Sequence, residues 1–152
     1  MPSLANTRHL QALLSDVDEL IDAHARLRTG QPGRQWRLGA VNRAIVVVSV
    51  SCWEAYIEQV LLESIELLRP GAPPMAHWQS LNATARSAIG RFNNPNADNV
   101  RALFRDVIGL ADVTSEWYWR NCASQRSIAY LNDMLRHRHE IAHGVNPSLN
   151  YS

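Results

Sequence analysis

The sequence predicts an all-α fold, a helical bundle built around one long central helix. Apolar residues recur at helical spacing along most of the chain. One stretch, residues 35–69, keeps that spacing with no turn residue breaking it. Glycine- and proline-rich breaks then separate the periodic segments. A chain of 152 residues can bury a single core, so residues 1–152 are expected to form one domain.

The first helix is expected over residues 4–28. Leu4, Leu10, Leu13, Leu14, Val17, Leu20, Ile21 and Leu27 carry its apolar spacing, and Ser3 is placed as its N-cap. Asp16, Asp18, Glu19 and Asp22 form its solvated side. Gly30-Gln31-Pro32-Gly33 breaks the chain. In the long helix that follows, Ile45-Val46-Val47-Val48-Ser49-Val50 is β-branched enough for a strand. The pattern continues on both sides, so helix is preferred, and its all-round apolar middle marks a buried central element. Pro70-Gly71-Ala72-Pro73-Pro74 ends it. A short helix over 83–90, capped by Asn82, comes next, then an Asn93-Asn94-Pro95 loop. Asn96 or Ala97 opens a helix that Gly109 ends. Thr114-Ser115-Glu116 reads as a further helix start, leading into Trp117, Tyr118 and Trp119. The last helix covers 124–143, with Ile128, Leu131, Leu135 and Ala142 on one face. Gly144 stands where a C-terminal glycine cap belongs. Residues 145–152 are expected to be a flexible tail.

Charge narrows the function classes. The formal net charge is only +1, and every one of the fifteen basic residues is arginine. A protein holding nucleic acid by bulk charge would be far more basic. Any RNA contact is therefore local, or is assembled from two chains. Cys52 and Cys122 lie in apolar helical contexts and read as buried thiols, which suits a reducing cytoplasm. The N-terminus shows no charged-then-apolar signal pattern, and the most apolar run, Ala44 to Trp53, falls short of the roughly 20 residues that span a bilayer. The expectation is a cytoplasmic chain with no membrane partner.

The chemistry concentrates in Arg136-His137-Arg138-His139-Glu140-Ile141-Ala142-His143-Gly144. Cations at a helix C-terminus complement the macrodipole, which accounts for Arg136 and His137. His139-Glu140-Ile141-Ala142-His143 also matches the His-Glu-x-x-His pattern of zinc proteases. That chemistry needs a third ligand, and the nine residues after His143 contain no His, Asp, Glu or Cys. No metal site and no cofactor are expected. The third reading is metal-free RNA cleavage, in which the substrate's own 2′-hydroxyl attacks phosphorus. His143 suits the proton transfer, because imidazole titrates near neutral pH. Arg138 suits charge neutralisation, because guanidinium binds phosphate oxygens bidentately. A five-residue step separates the two by about 140° and 7.5 Å on a helix. They can meet on one phosphate across a groove or around a frayed last turn, which favours a cleft lined by two chains.

Arg138-His139-Glu140-Ile141-Ala142-His143-Gly144 resembles the Arg-x-x-x-x-His motif of the HEPN superfamily, with His139 at a polar position that is often Asn. Asn42-Arg43-Ala44 leading to Trp53-Glu54-Ala55-Tyr56-Ile57-Glu58 is similar to the long second helix of the RiboL-PSP-HEPN branch. So is Phe92-Asn93-Asn94-Pro95 followed by Asn99-Val100-Arg101-Ala102-Leu103-Phe104. The resemblance covers residues 40–144. It implies a HEPN-like homodimer whose motif helices line a shared cleft. It also implies a metal-independent endoribonuclease leaving a 2′,3′-cyclic phosphate and a 5′-hydroxyl. Many members are toxins or anti-phage effectors, so an antitoxin or defence-system partner is implied; other members are catalytically silent and bind RNA or nucleotides. A regulatory Tyr two residues past the motif His is replaced here by Val145.

By position, Arg138 and His143 take the catalytic roles. His139 is expected to orient Arg138 or the phosphate, and Glu54 matches an acidic position near the motif, with a solvated or Arg-paired carboxylate as the competing reading. Arg136 and His137 are candidate RNA-contacting cations at the cleft rim, although the helix-end reading explains them better. Trp117, Tyr118 and Trp119 could stack bases, but aromatics at helical spacing more often pack.

Overall fold

The computed structural model describes residues 5–28, 36–72, 74–118 and 121–144, and places five α-helices there. Ala5–Leu10 winds as a π-helix that runs straight into α1, Gln11–Leu27. Then come α2 (Trp36–Leu67), α3 (Ala76–Ile89), α4 (Ala97–Ile108), a 3-10 turn (Val113–Glu116) and α5 (Ser124–Ala142). Among the described residues there is no β-strand, so the β-branched Ile45–Val50 run is helical, as its unbroken flanks require. Ser3, Gly30–Gly33, Trp119 and residues 145–152 lie outside the described residues.

α2 is the hub and packs against all four other helices. Its second half supplies Ile57, Leu61 and Ile65, which meet Ala85 of α3 and Val100, Leu103, Phe104 and Val107 of α4 in the main core. Leu61 and Val100 are fully inaccessible, and burying such a side chain contributes about 1.5–3 kcal/mol. By length and composition, Leu38–Leu67 of α2 is long and apolar enough to cross a membrane, so reading the apolar run as ending at Trp53 understated it. The other four helices pack on it, but only 28% of that apolar window is buried, so the middle of α2 is less buried than its all-round apolar pattern predicts.

Aromatic donors fasten the neighbours to α2. Trp78 Nε1 donates to Ile65 O at 3.0 Å, which pins the start of α3. α3 therefore begins at Ala76 rather than near residue 83, and Asn82 lies inside it, half-buried, instead of capping it. Packing of Trp78 and Leu81 on the core outweighs the missing side-chain cap at Met75. Trp53 Nε1 donates to Pro95 O at 2.9 Å and so fixes the loop before α4. The Asn96 side chain accepts from Asn99 N, and Gly109 closes α4 in the left-handed region at φ 74°.

The segment read as a helix start at Thr114 forms only one 3-10 turn. Asp112 accepts from the Thr114 backbone and hydroxyl, while Arg101 donates to Asp112 and to Thr114 Oγ1. The bonds from Thr114 and Arg101 hold the Asp112 carboxyl below its ordinary range. This network anchors the turn to α4, and the chain leaves it with Trp117 edge-on to Trp53 at 5.1 Å. Both cysteines are buried and free, and Cys52 Sγ donates to Leu13 O.

Candidate functional site

α5 ends as its sequence requires. His143 N donates to His139 O, Gly144 N donates to Ile141 O, and Gly144 adopts φ 73°. His143 therefore stands at the C-cap, just past the last helical residue. The helix is little covered by the rest of the chain: Ser127 is its one buried residue among those described.

Within the last two turns, the two arginines differ. Arg136 Nη2 donates to Asp133 at 2.6 Å and Arg136 Nη1 to Glu140 at 2.7 Å. Hydrogen bonding from Arg136 keeps the Asp133 carboxyl below its ordinary range. His137 joins this network, with Nε2 3.1 Å from Arg136 Nη2 and Nδ1 3.8 Å from Asp133 Oδ2. These i, i+3 and i, i+4 pairs already satisfy Arg136. Arg138 is half-buried and makes no hydrogen bond or ion pair among the described residues.

Arg138 and His139 line an open pocket of about 490 Å³ between α5 and the loop before α4. Asn93, Asn94 and Asn96 form the far wall, with Asn132, Leu135 and Arg136 on the near one. Arg136 reaches the pocket, as expected of a rim cation, but with its charge already matched; His137 does not line it. The His139 ring continues out of the pocket onto His143, centroid to centroid 4.2 Å at 55°. His143 is thus one ring beyond the pocket, not within it. A guanidinium without a partner among the described residues, amide donors and acceptors, and the His139 imidazole with His143 beside it make a surface suited to a phosphodiester.

Glu54 is half-buried on α2, lines no part of this pocket, and makes no hydrogen bond or ion pair with the motif among the described residues. Its neighbour is Glu58, whose carboxyl is raised by burial and then by the Glu54 charge. Among the described residues, no group of three His, Cys, Asp or Glu side chains is arranged to hold a metal ion. Glu140, the base in the protease reading, is paired with Arg136 at 2.7 Å.

The sequence reading used Asn93 and Asn94 for the loop and the resemblance, not as site residues, and passed over Asn132. A signal existed. Asn132, Arg136 and His139 follow i, i+4, i+7 spacing, which puts an amide on the same helix face as the motif.

The family model described as RiboL-PSP-HEPN matches residues 11–152 of the chain. No curated protein and no solved structure matches it.

Proposed function

Because the chain belongs to the RiboL-PSP-HEPN family, we propose that it is a metal-independent endoribonuclease whose reacting groups are Arg138 and His143. The observation that carries this reading is the division of labour on α5. Arg136 is neutralised by two carboxylates, while Arg138 lines an amide-walled pocket and, among the described residues, makes no hydrogen bond or ion pair.

In the proposed reaction, the ribose 2′-oxygen attacks the adjacent phosphorus as His143 takes the hydroxyl proton. The 2′-O–P bond forms and the P–O5′ bond breaks. The 5′-oxygen leaves, taking its proton from solvent water, protonated His143 returns its proton to solvent, and the products are a 2′,3′-cyclic phosphate and a 5′-hydroxyl. Arg138 holds the non-bridging oxygens as charge builds on them. His139 orients both groups, since its ring lines the pocket and lies against His143.

One chain leaves His143 outside the pocket that holds Arg138, and α5 is largely uncovered. Both facts support a homodimer in which the motif helices face each other, so that His143 of one copy completes the Arg138 pocket of the second. Activity of this kind fits a toxin or anti-phage effector held in check by a partner protein. The position of His143 also favours a second reading, a catalytically silent module that uses the Arg138 pocket to bind RNA or regulate a partner.

The test is cleavage of a mixed single-stranded RNA in EDTA by wild type, Arg138→Ala, His143→Ala and an equimolar mixture of the two variants. Wild type cleaves and each variant alone loses at least about 10²-fold. The mixture recovers up to about a quarter of wild-type activity, because half the dimers then carry one intact shared site. Undiminished cleavage by His143→Ala overturns the assignment. RNA binding by wild type with no cleavage supports the silent module.

A further inference from the structure

A second, larger cavity lies on the other side of α5. Its volume is about 660 Å³, and its wall is largely apolar and aromatic. Trp53 and Tyr56 of α2 and Trp117 of the loop form its base, while Tyr118 and Tyr130 stand at its mouth, 64% and 52% exposed. Two large aromatic side chains left this open are not filling the core. Arg126 lies over one face of Tyr130, which leaves the Tyr118 ring and the other Tyr130 face for a planar group.

Two charged groups narrow what that group is. Glu116 lines the cavity, and among the described residues its carboxylate makes no ion pair or side-chain hydrogen bond. Among the described residues it is an acceptor without a donor. Arg126 lies over the Tyr130 ring, 5.4 Å from its centroid, and its Nε donates to the Tyr130 hydroxyl at 2.9 Å. Its terminal nitrogens have no other partner among the described residues. The cavity therefore combines an aromatic slot, one anionic acceptor and one cation beside Tyr130.

We propose that this cavity is a base-specificity subsite, holding an unpaired guanine of the RNA against Tyr118 and Tyr130. The Glu116 carboxylate accepts from guanine N1–H and N2–H, the two adjacent donors that only guanine among the four bases presents together. Arg126 takes the phosphate of that nucleotide. The substrate class rests on the ribonuclease reading above. α5 carries residues of both sites. Met134 lines the cavity, and Arg138 follows it one turn later, so Tyr130 and Arg138 are separated by about 12 Å along the axis. A single strand crossing α5 can place its scissile phosphate at Arg138 and a base a few nucleotides away in the slot.

The experiment is titration of the wild-type protein with GMP, guanosine, UMP and tetramethylammonium, read by tryptophan fluorescence, since Trp53 and Trp117 line the cavity. GMP is expected to saturate the signal and to bind about tenfold more tightly than UMP, the scale of one bidentate base contact. Tyr118→Ala weakens GMP about tenfold through lost stacking. Glu116→Gln removes most of the preference over UMP. Arg126→Ala weakens GMP but not guanosine. All three positions are exposed, so circular dichroism should show an unchanged fold. Equal affinity for GMP and UMP, or a Tyr118→Ala protein that binds GMP normally, overturns the proposal. Saturation by tetramethylammonium without GMP binding overturns it in favour of a cation cage. The readout needs no cleavage. Failure here with intact cleavage removes the subsite alone, whereas GMP binding by a protein that cleaves nothing removes the nuclease and leaves the slot.

Discussion

The imidazoles of His139 and His143 lie in contact across the last turn of α5, centroids 4.2 Å apart and planes tilted by 55°. His143 has already left the helix, so this contact, together with the Gly144 cap, sets where its ring points. The consequence is a positioning role for His139. His139→Ala is expected to lower kcat about tenfold with KM little changed, a loss of orientation rather than of binding. His139→Phe, which keeps an aromatic ring, should recover part of the rate. A fall confined to KM would show that His139 binds substrate instead.

The arginines separate in a different way. Among the described residues Arg138 has no hydrogen-bond or ion-pair partner, whereas Arg136 bonds to two carboxylates. Arg138→Ala should leave the melting temperature unchanged and reduce cleavage about 10²–10³-fold, the scale of one lost charge-stabilising donor. Arg136→Ala should do the reverse, with a small drop in Tm and most activity kept. Thermal melts and single-turnover cleavage on both variants check the assignment.

Gly144 sits at φ 73° with nothing within 4 Å of where a Cβ would be. The cost of a side chain there is backbone strain alone, about 1–2 kcal/mol. Gly144→Ala should therefore fray the last turn and weaken cleavage through His143, while Gly144→Asn, better tolerated in the left-handed region, should retain more activity.

Glu58 gives a pH signature. Burial, and then the charge of Glu54 four residues earlier, raise its carboxyl above the ordinary range. The folded chain then holds this proton more readily than the unfolded chain does. The cost is absent below the ordinary carboxylate pKa of about 4.3 and fully present above the raised value. Glu58→Gln should raise Tm by about 0.5–2 °C at pH 7, given about 0.2–0.5 kcal/mol for a like-charge i, i+4 pair, and by almost nothing at about pH 3, well below the ordinary carboxylate pKa. Asp133 runs the opposite way: its lowered carboxyl stabilises the fold above the ordinary range and that contribution is lost as pH falls. The difference between wild type and Glu58→Gln isolates Glu58 from it.

The sequence made the bundle legible because its signals are local. The α2 periodicity, the Asn96 cap, the Gly109 and Gly144 terminators and the Arg138–His143 spacing all act within a few residues. What it concealed depends on distant partners. α3 starts seven residues before the expected 83 because Trp78 reaches back to Ile65. The Thr114 segment stops after one turn because Arg101, on α4, ties it down. The amide wall was hidden for the same reason, since Pro95 is bonded to Trp53, forty-two residues earlier. Exposed apolar residues on α1, Leu14, Ile21 and Leu27, follow the predicted stripe but lie beyond what α2 covers.

The central claim is that His143 moves a proton in a metal-free cleavage of RNA. Its most direct test is end-group analysis of products formed by wild type and by His143→Ala in EDTA. The account predicts 2′,3′-cyclic phosphate and 5′-hydroxyl ends from wild type, and a rate lower by about 10²–10⁴-fold in the variant. Cleavage that needs added zinc, 5′-phosphate ends, or equal rates from both proteins would contradict it.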